Sequence, residues 1–330
     1  MKLLPANSPA AFREKNHWIW CSSPILGEDG RYHLFASRWQ KDHPFHPGWL
    51  YRSQIVRASA DHPEGPYKLE ETVLGPRDPA YFDGRTAHNP CIRKSGDTYL
   101  LYYMGCTYPE DPAIAEQAEA GGDAYKAVWA NKRVGLATSK SVFGPWQRAD
   151  APILEPRPGH WDSIATTNPA PWIEDDGSVL MVYKSRTVAD GPRVLGIARA
   201  PHWSGPYGAI SEEPLFSGHD LEDACLWKED GIYRMILKDM NGAIGGEPGC
   251  LISAQSQSGT EWTLDESPFL HGKEFKIADG TSLQLGNFER PQILFDYTTG
   301  KATHLFAAVS DGATGIGDAG NTWSVCLPID

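Results

Sequence analysis

Short apolar runs, each closed by a turn, recur along the whole chain. Val179-Leu180-Met181-Val182-Tyr183 is among the longest, far short of the roughly 20 residues that span a bilayer. The runs follow a repeated phrase. Ile55-Val56-Arg57-Ala58-Ser59 leads to Gly65-Pro66-Tyr67, Val134-Gly135-Leu136-Ala137-Thr138-Ser139 leads to Gly144-Pro145-Trp146, and Leu195-Gly196-Ile197-Ala198-Arg199 leads to Gly205-Pro206-Tyr207. A worn copy runs from Cys250-Leu251-Ile252 to Gly259-Thr260-Glu261-Trp262. Each copy reads as an apolar strand, a turn and an aromatic that packs on the sheet.

A second phrase precedes each copy: a polar residue with Pro, a strand, a turn Gly, then an aromatic-rich strand. Its starts are Ser23-Pro24, Asn89-Pro90, Asn168-Pro169, Asp223-Ala224 and Arg290-Pro291, spaced by 66, 79, 55 and 67 residues. Five units of three or four strands cannot bury their own faces. The pattern predicts an all-β chain, a single five-bladed β-propeller over 1–330, with blades at 18–75, 82–150, 161–212, 219–268 and 286–330. The 79-residue unit carries an insertion at 107–133. Within it the Ala- and Glu-rich stretch 112–120 reads as a short helix, and the insertion as a solvated loop or a lid over the propeller mouth.

Composition narrows the partners. The 42 acidic against 30 basic residues give a net charge of −12, which offers no electrostatic support for nucleic acid or an anionic membrane. The 12 Trp leave aromatic faces suited to a sugar. The six cysteines form no C-x-x-C pair and are expected as buried free thiols. Met1-Lys2-Leu3-Leu4-Pro5 has no apolar core of a secretion signal, leaving a cytoplasmic protein or a secreted or periplasmic one with its leader removed. No Gly-rich phosphate loop, G-x-S-x-G elbow or H-E-x-x-H helix is present, and no local motif encodes a metal.

Polar residues that open the inner strands of a propeller converge on its axis. They read Cys21-Ser22-Ser23, His88-Asn89, Thr167-Asn168, Glu222-Asp223 and Glu289-Arg290. Together with the strand-opening x-Pro steps and the Gly-Pro-aromatic turns, this five-unit pattern resembles the five-bladed propeller glycoside hydrolases of family 43 and its relatives in families 32, 62, 68 and 117, along nearly the whole chain. The resemblance implies a glycosidase taking a terminal sugar from an oligo- or polysaccharide by an exo-acting, inverting route. It implies a general base in blade one, a pKa-tuning Asp in blade three and a general-acid Glu in blade four, and some relatives hold Ca2+ in the channel. Glu222, nine residues before Gly231, matches the acid; Ser23 and Asn168 stand where the family has Asp.

The base then has several candidates. Glu289 opens the fifth inner strand beside Arg290, an ion pair or a substrate clamp. Phe82-Asp83 and Trp161-Asp162 precede two successive inner strands by the same distance. An Asp repeated at equal offset reads as a turn cap, while Asp162 and Asp83 stay base candidates as well. Asp42 lies in an aromatic- and His-rich loop with Trp39, a subsite wall or a packed surface, and Asp239 reads as a turn residue. His88, Asn89, Asn168, Asp223, Arg290, Ser23, Trp39 and Lys184 are the expected substrate contacts. Lys184 and Arg186 also suit an anionic sugar or a phosphate. Two alternatives therefore stay open: a glycoside phosphorylase, which needs no base carboxylate, and a non-catalytic sugar-binding propeller.

Overall fold

The computed structural model describes residues 1–118, 121–296, 298–313 and 316–330. Its strands form five antiparallel blades and one hairpin. Blade one holds β1 (His17–Leu26), β2 (Tyr32–Gln40), β3 (Gln54–Ala60) and β4 (Lys68–Leu74), with helix α1 (Gly48–Arg52) between β2 and β3. Blade two holds β5 (Thr86–Ser95), β6 (Thr98–Cys106), β7 (Arg133–Ser139) and β8 (Gln147–Arg148). Helices α2 (Pro112–Ala115) and α3 (Asp123–Ala130) interrupt it between β6 and β7. Blade three holds β9 (Thr167–Ile173), β10 (Val179–Arg186), β11 (Arg193–Ala200) and β12 (Gly208–Ala209); blade four holds β13 (Leu221–Glu229), β14 (Ile232–Asp239), β15 (Cys250–Ser256) and β16 (Thr263–His271). The hairpin β17 (Glu274–Lys276) and β18 (Ser282–Gln284) precedes blade five, which holds β19 (Asn287–Phe295), β20 (Ala302–Ser310) and β21 (Thr322–Pro328).

The first strand of each blade contacts the first strands of both neighbours: β1 touches β5 and β19, β5 touches β9, β9 touches β13, and β13 touches β19. That closed circuit is a five-bladed β-propeller. Its apolar core is correspondingly divided, one cluster per blade interface. Ile25, Phe35 and Ile55 of blade one pack with Ile92, Leu101 and Tyr103 of blade two. Leu226, Met235 and Leu237 of blade four pack with Leu180, Val182 and Ile197 of blade three. Each sheet is apolar on both faces because each face meets another sheet. The repeated Gly-Pro-aromatic phrase is one local structure: Gly65, Gly144 and Gly205 sit at φ 88°, 89° and 91°, a region open to Gly because it lacks Cβ. All six cysteines are buried and unpaired, as expected.

Two features were not legible in the strand pattern. Blade five has three strands of its own, and the N-terminal segment covers its edge. Phe12 and Ser324 exchange backbone bonds of 3.3 and 2.9 Å, Leu4 donates to Pro328 at 2.9 Å, and Tyr67 of blade one donates to the Ala11 carbonyl at 2.9 Å. The segment thus ties the last blade to the first and caps an edge that would otherwise expose unpaired backbone. The insertion also carries more helix than expected. Helix α2 covers only the start of the expected 112–120 stretch, α3 was not anticipated, and Glu119 and Ala120 lie outside the described residues. Val128 and Trp129 of α3 are buried against Leu50 and Tyr51 of α1 and against Ala165.

Phe12 is 2% exposed within the core between blades one and five. Phe12→Ala should lower unfolding stability by about 3–5 kcal/mol, measured by urea denaturation. A loss under about 1 kcal/mol, the range of a surface change, would mean the segment does not hold the ring closed.

Candidate active site at the hub

Each inner strand breaks register with its neighbour at the same place. The interruptions fall between Trp20 and Ser23, His88 and Cys91, Glu222 and Cys225, and Glu289 and Gln292, with a matching break opposite Thr167–Ala170 in blade three. At each break one non-Gly residue takes a left-handed backbone: Cys21 (φ 54°), Asn89 (54°), Asn168 (51°), Asp223 (60°) and Arg290 (57°). These are β-bulges, which leave one residue unpaired and re-aim a side chain. Pro90, Pro169 and Pro291 occupy the unpaired position that follows, where a missing N–H costs nothing. This explains the recurring x-Pro step.

The five re-aimed side chains meet on the axis. Cys21 Sγ donates to Asn89 Oδ1 (2.8 Å), Asn89 Nδ2 to Asn168 Oδ1 (2.6 Å), and Asn168 Nδ2 to Asp223 Oδ1 (2.9 Å), which also accepts from Arg290 Nη1 (2.6 Å). Above this circuit lies a cavity of about 170 Å³ lined by Glu222, Glu289, His88, Lys184 and Arg193. Trp20, Phe45, Trp49, Trp129 and Lys132 complete its walls. A larger cleft of about 590 Å³ between blades three and four lies beyond the far ends of β9 and β13. Its Glu174 is already held by Lys228 and Tyr233, so size does not mark the chemistry here.

Three buried carboxylates share the hub, with oxygens of Glu222, Asp223 and Glu289 within 4.8 Å of one another. Lys184 Nζ bonds Glu222 at 2.7 Å, with Arg193 at 3.4 Å and Lys238 at 3.8 Å. Glu289 has Lys238 at 2.5 Å. Burial alone would raise the Glu222 carboxyl, but Lys184, Lys238 and Arg193 together hold it well below the ordinary carboxylate range. Glu289 moves the other way: burial, with Asp223 and Glu222 beside it, outweighs the attraction of Lys238 and raises it. His88 is kept neutral by burial and by Arg290, Lys132 and Lys184, and it shares a 2.7 Å bond with Ser53 Oγ through Nδ1. Glu222, Asp223 and Glu289 are the residues that would hold a channel Ca2+, their oxygens lying within 4.8 Å of one another, and each also has a lysine or arginine beside it.

Eight of the expected residues meet around this cavity: Glu222, Glu289, His88, Asn89, Asn168, Asp223, Arg290 and Lys184. Three do not. Asp162 is fully buried away from the hub, gripped by Arg157 Nε at 3.0 and 2.9 Å and by Tyr183 Oη at 2.5 Å. Asp83 repeats the arrangement with Arg77 (2.6 Å) and Tyr103 (2.8 Å), so the equal offset marks a duplicated Arg–Asp–Tyr clamp. Ser23 lies two residues past the blade-one bulge, bonded to Gln292 and the Ile92 amide; the true counterpart of Asn89 and Asn168 is Cys21. Trp39 is 1% exposed behind the wall, its ring edge-on to His88. Of the remaining base candidates, Asp42 has a 64% exposed side chain, and Asp239 caps a turn by accepting from the Gly242, Ile244 and Gly245 amides.

Sequence reasoning missed Arg193, Lys238, Lys132 and Trp129. Arg193 opens β11 and Lys238 lies near the end of β14, so both stand where their blades border the hub. An equal-height comparison of second and third strands would have flagged them. Lys132 and Trp129 come from the insertion, where no repeat guides alignment. The clamp assignment carries a test: Asp162→Ala should cost about 3–5 kcal/mol of stability by stranding Arg157, read from denaturant midpoints. Unchanged stability with lost activity would return Asp162 to the catalytic group.

No family model and no curated protein sequence matches the chain. Solved structures do. The family 117 glycoside hydrolase Zg3597 of the marine bacterium Zobellia galactanivorans is 15% identical, with 99% of this chain and 87% of that one covered at a TM-score of 0.67. A GH43_1 enzyme of Xanthomonas citri is 14% identical, with 98% and 91% covered at 0.63. A protein of unknown function from Dyadobacter fermentans is 12% identical, with 99% of both chains covered at 0.64. The chain therefore shares, over its whole length, the five-bladed fold found in glycoside hydrolases of families 117 and 43.

Proposed function

We propose that the protein is a glycosidase whose acid–base chemistry is carried by Glu222 and Glu289. The observation that carries this reading is the pair itself: two buried carboxylates with oxygens within 4.8 Å, their proton affinities shifted in opposite directions, Glu222 down by Lys184, Lys238 and Arg193 and Glu289 up by burial beside Asp223 and Glu222. Carboxylates pushed apart in pKa on one cavity floor divide the roles of acid and base. Glu289 keeps a proton to give to the leaving oxygen. Glu222 stays ionised and faces the anomeric carbon. This exchanges the roles implied by the family resemblance, because the lysines and arginine around Glu222 oppose its protonation.

The spacing bears on stereochemistry. An inverting pair stands roughly 6.5–9.5 Å apart to admit a water, and a retaining pair roughly 5–5.5 Å apart. Oxygens within 4.8 Å lie nearer the retaining spacing than the inverting one, so we propose retention, with Glu222 as nucleophile. The cavity of about 170 Å³ is below the roughly 300–1,000 Å³ of sites for drug-sized ligands. A floor closed by the hydrogen-bonded circuit and walls of Trp20, Trp49 and Trp129 suit one terminal sugar ring stacked on an aromatic face, hence exo action.

On an aryl-glycoside panel, Glu222→Gln should lower kcat/KM by roughly 10²–10⁴-fold with every leaving group, whereas Glu289→Gln should lower it comparably only for poor leaving groups. NMR of the released sugar should show the substrate's own anomer first. An inverted first product would remove Glu222 as nucleophile, and full activity in Glu289→Gln would remove the acid. The pH profile follows from the same shifts. Activity needs Glu289 protonated, so it should persist above the ordinary glutamic-acid range and fall as pH rises through the raised value. Its acid limb, set by the depressed Glu222, should lie below that range.

A further inference from the structure

The hub's charge is not balanced. Five cations line the cavity, Lys132, Lys184, Arg186, Arg193 and Arg290, against the carboxylates Glu222, Asp223 and Glu289. Lys184 and Arg193 answer Glu222, and Arg290 answers Asp223. Lys132 and Arg186 are left over. Lys132 is 1% exposed, and its ammonium lies 3.3 Å from the Trp129 ring centroid and 5.4 Å from that of Trp49. Arg186 lies over the same Trp129 at 4.5 Å, gives Nη1 to the Ala189 carbonyl, and keeps a buried Nε with no partner. Neither cation has a carboxylate partner among the described residues. Holding buried cations without a carboxylate partner is costly, and this chain has a net charge of −12, with acidic residues in ample supply to neutralise them.

We infer that Lys132 and Arg186 receive a carboxylate carried on the substrate sugar, so that the preferred ligand is a uronate. The inference rests on the glycosidase reading of the same cavity and names its substrate class. Two adjacent donors, one ammonium and one free guanidinium edge, match the two oxygens of a planar carboxylate. Both cations lie against the Trp129 ring, and Trp20 and Trp49 on the same cavity walls offer faces for the ring that bears the carboxylate. Burial, then Lys184 and Arg186, depress the Lys132 ammonium well below its ordinary value. An arriving anion reverses that penalty, giving an interaction that neutral sugars cannot match.

The test is direct binding of free monosaccharides by calorimetry, which needs no turnover and so stands apart from any failure of the hydrolysis assignment. D-Glucuronate or D-galacturonate should bind roughly ten-fold or more tightly than glucose or galactose, and Lys132→Met and Arg186→Met should each remove most of that preference. In the unaltered protein, added NaCl should weaken the uronate and leave the neutral sugar unchanged; this arm stands even if a variant fails to fold. The inference is overturned if no uronate binds, if neutral sugars bind equally well, or if the preference survives both substitutions. Inorganic phosphate or sulfate binding without a uronate preference overturns the carboxylate assignment in the same way.

Discussion

The structure turns on one backbone device used five times. A bulge at the start of each inner strand puts a single residue at φ between 51° and 60°, a conformation costing of order 1–2 kcal/mol for a residue with a Cβ. Five such residues persist because their side chains bond one another along the axis. Asn89, Asn168 and Asp223 form a continuous run of hydrogen bonds closed at its ends by Cys21 and Arg290. A buried polar network of this kind is stable only when its members find partners. The bulges therefore fix which residues can be exchanged: each substitution on the axis alters the bonding of two neighbouring blades.

That constraint also sets the electrostatics. In four of the five blades the residue before the bulge lines the cavity, which is how Trp20, His88, Glu222 and Glu289 come to share one space. Two of these are carboxylates, and the lysines that answer them come from neighbouring strands at the same height. Lys238 sits opposite Glu222 in the β13–β14 register, yet its shortest bond crosses to Glu289 of the next blade. Sharing that lysine couples the two glutamates. Because Lys184 and Arg193 both attend Glu222, Lys238 is drawn to Glu289, and the proton affinity of one site depends on the cations of the other. A sequence cannot display this, since the two carboxylates are separated by a whole blade.

Much of the ring was legible and much of the hub was not, for one reason. Blade identity follows from local pattern: apolar strands, turn glycines and Gly-Pro-aromatic closures specify each sheet without reference to its neighbours. Axis geometry depends on register, and register at a bulge shifts by a residue or two. Ser23-Pro24 matches the x-Pro phrase in letters, but Cys21-Ser22 holds the bulge, because blade one uses no proline at the unpaired position. The repeated Asp83 and Asp162 were correctly paired with each other, and their buried arginine and tyrosine partners, distant in sequence, decide that they are structural. The N-terminal strap escaped notice because an edge pairing of a few residues carries no periodicity.

The insertion in blade two shows how an otherwise repetitive ring acquires a specific site. Five similar inner strands supply near-symmetric positions, and symmetry alone gives an open funnel. Helix α3 breaks it by burying Val128 and Trp129 against α1, which fixes the indole on the cavity wall and places Lys132, just past the helix, against its ring. The same packing that anchors the insertion therefore delivers a cation and an aromatic plane to one side of the cavity, with no carboxylate paired to that cation among the described residues. On the proposed glycosidase reading, selectivity belongs to the segment that does not repeat, while the two glutamates belong to the segments that do.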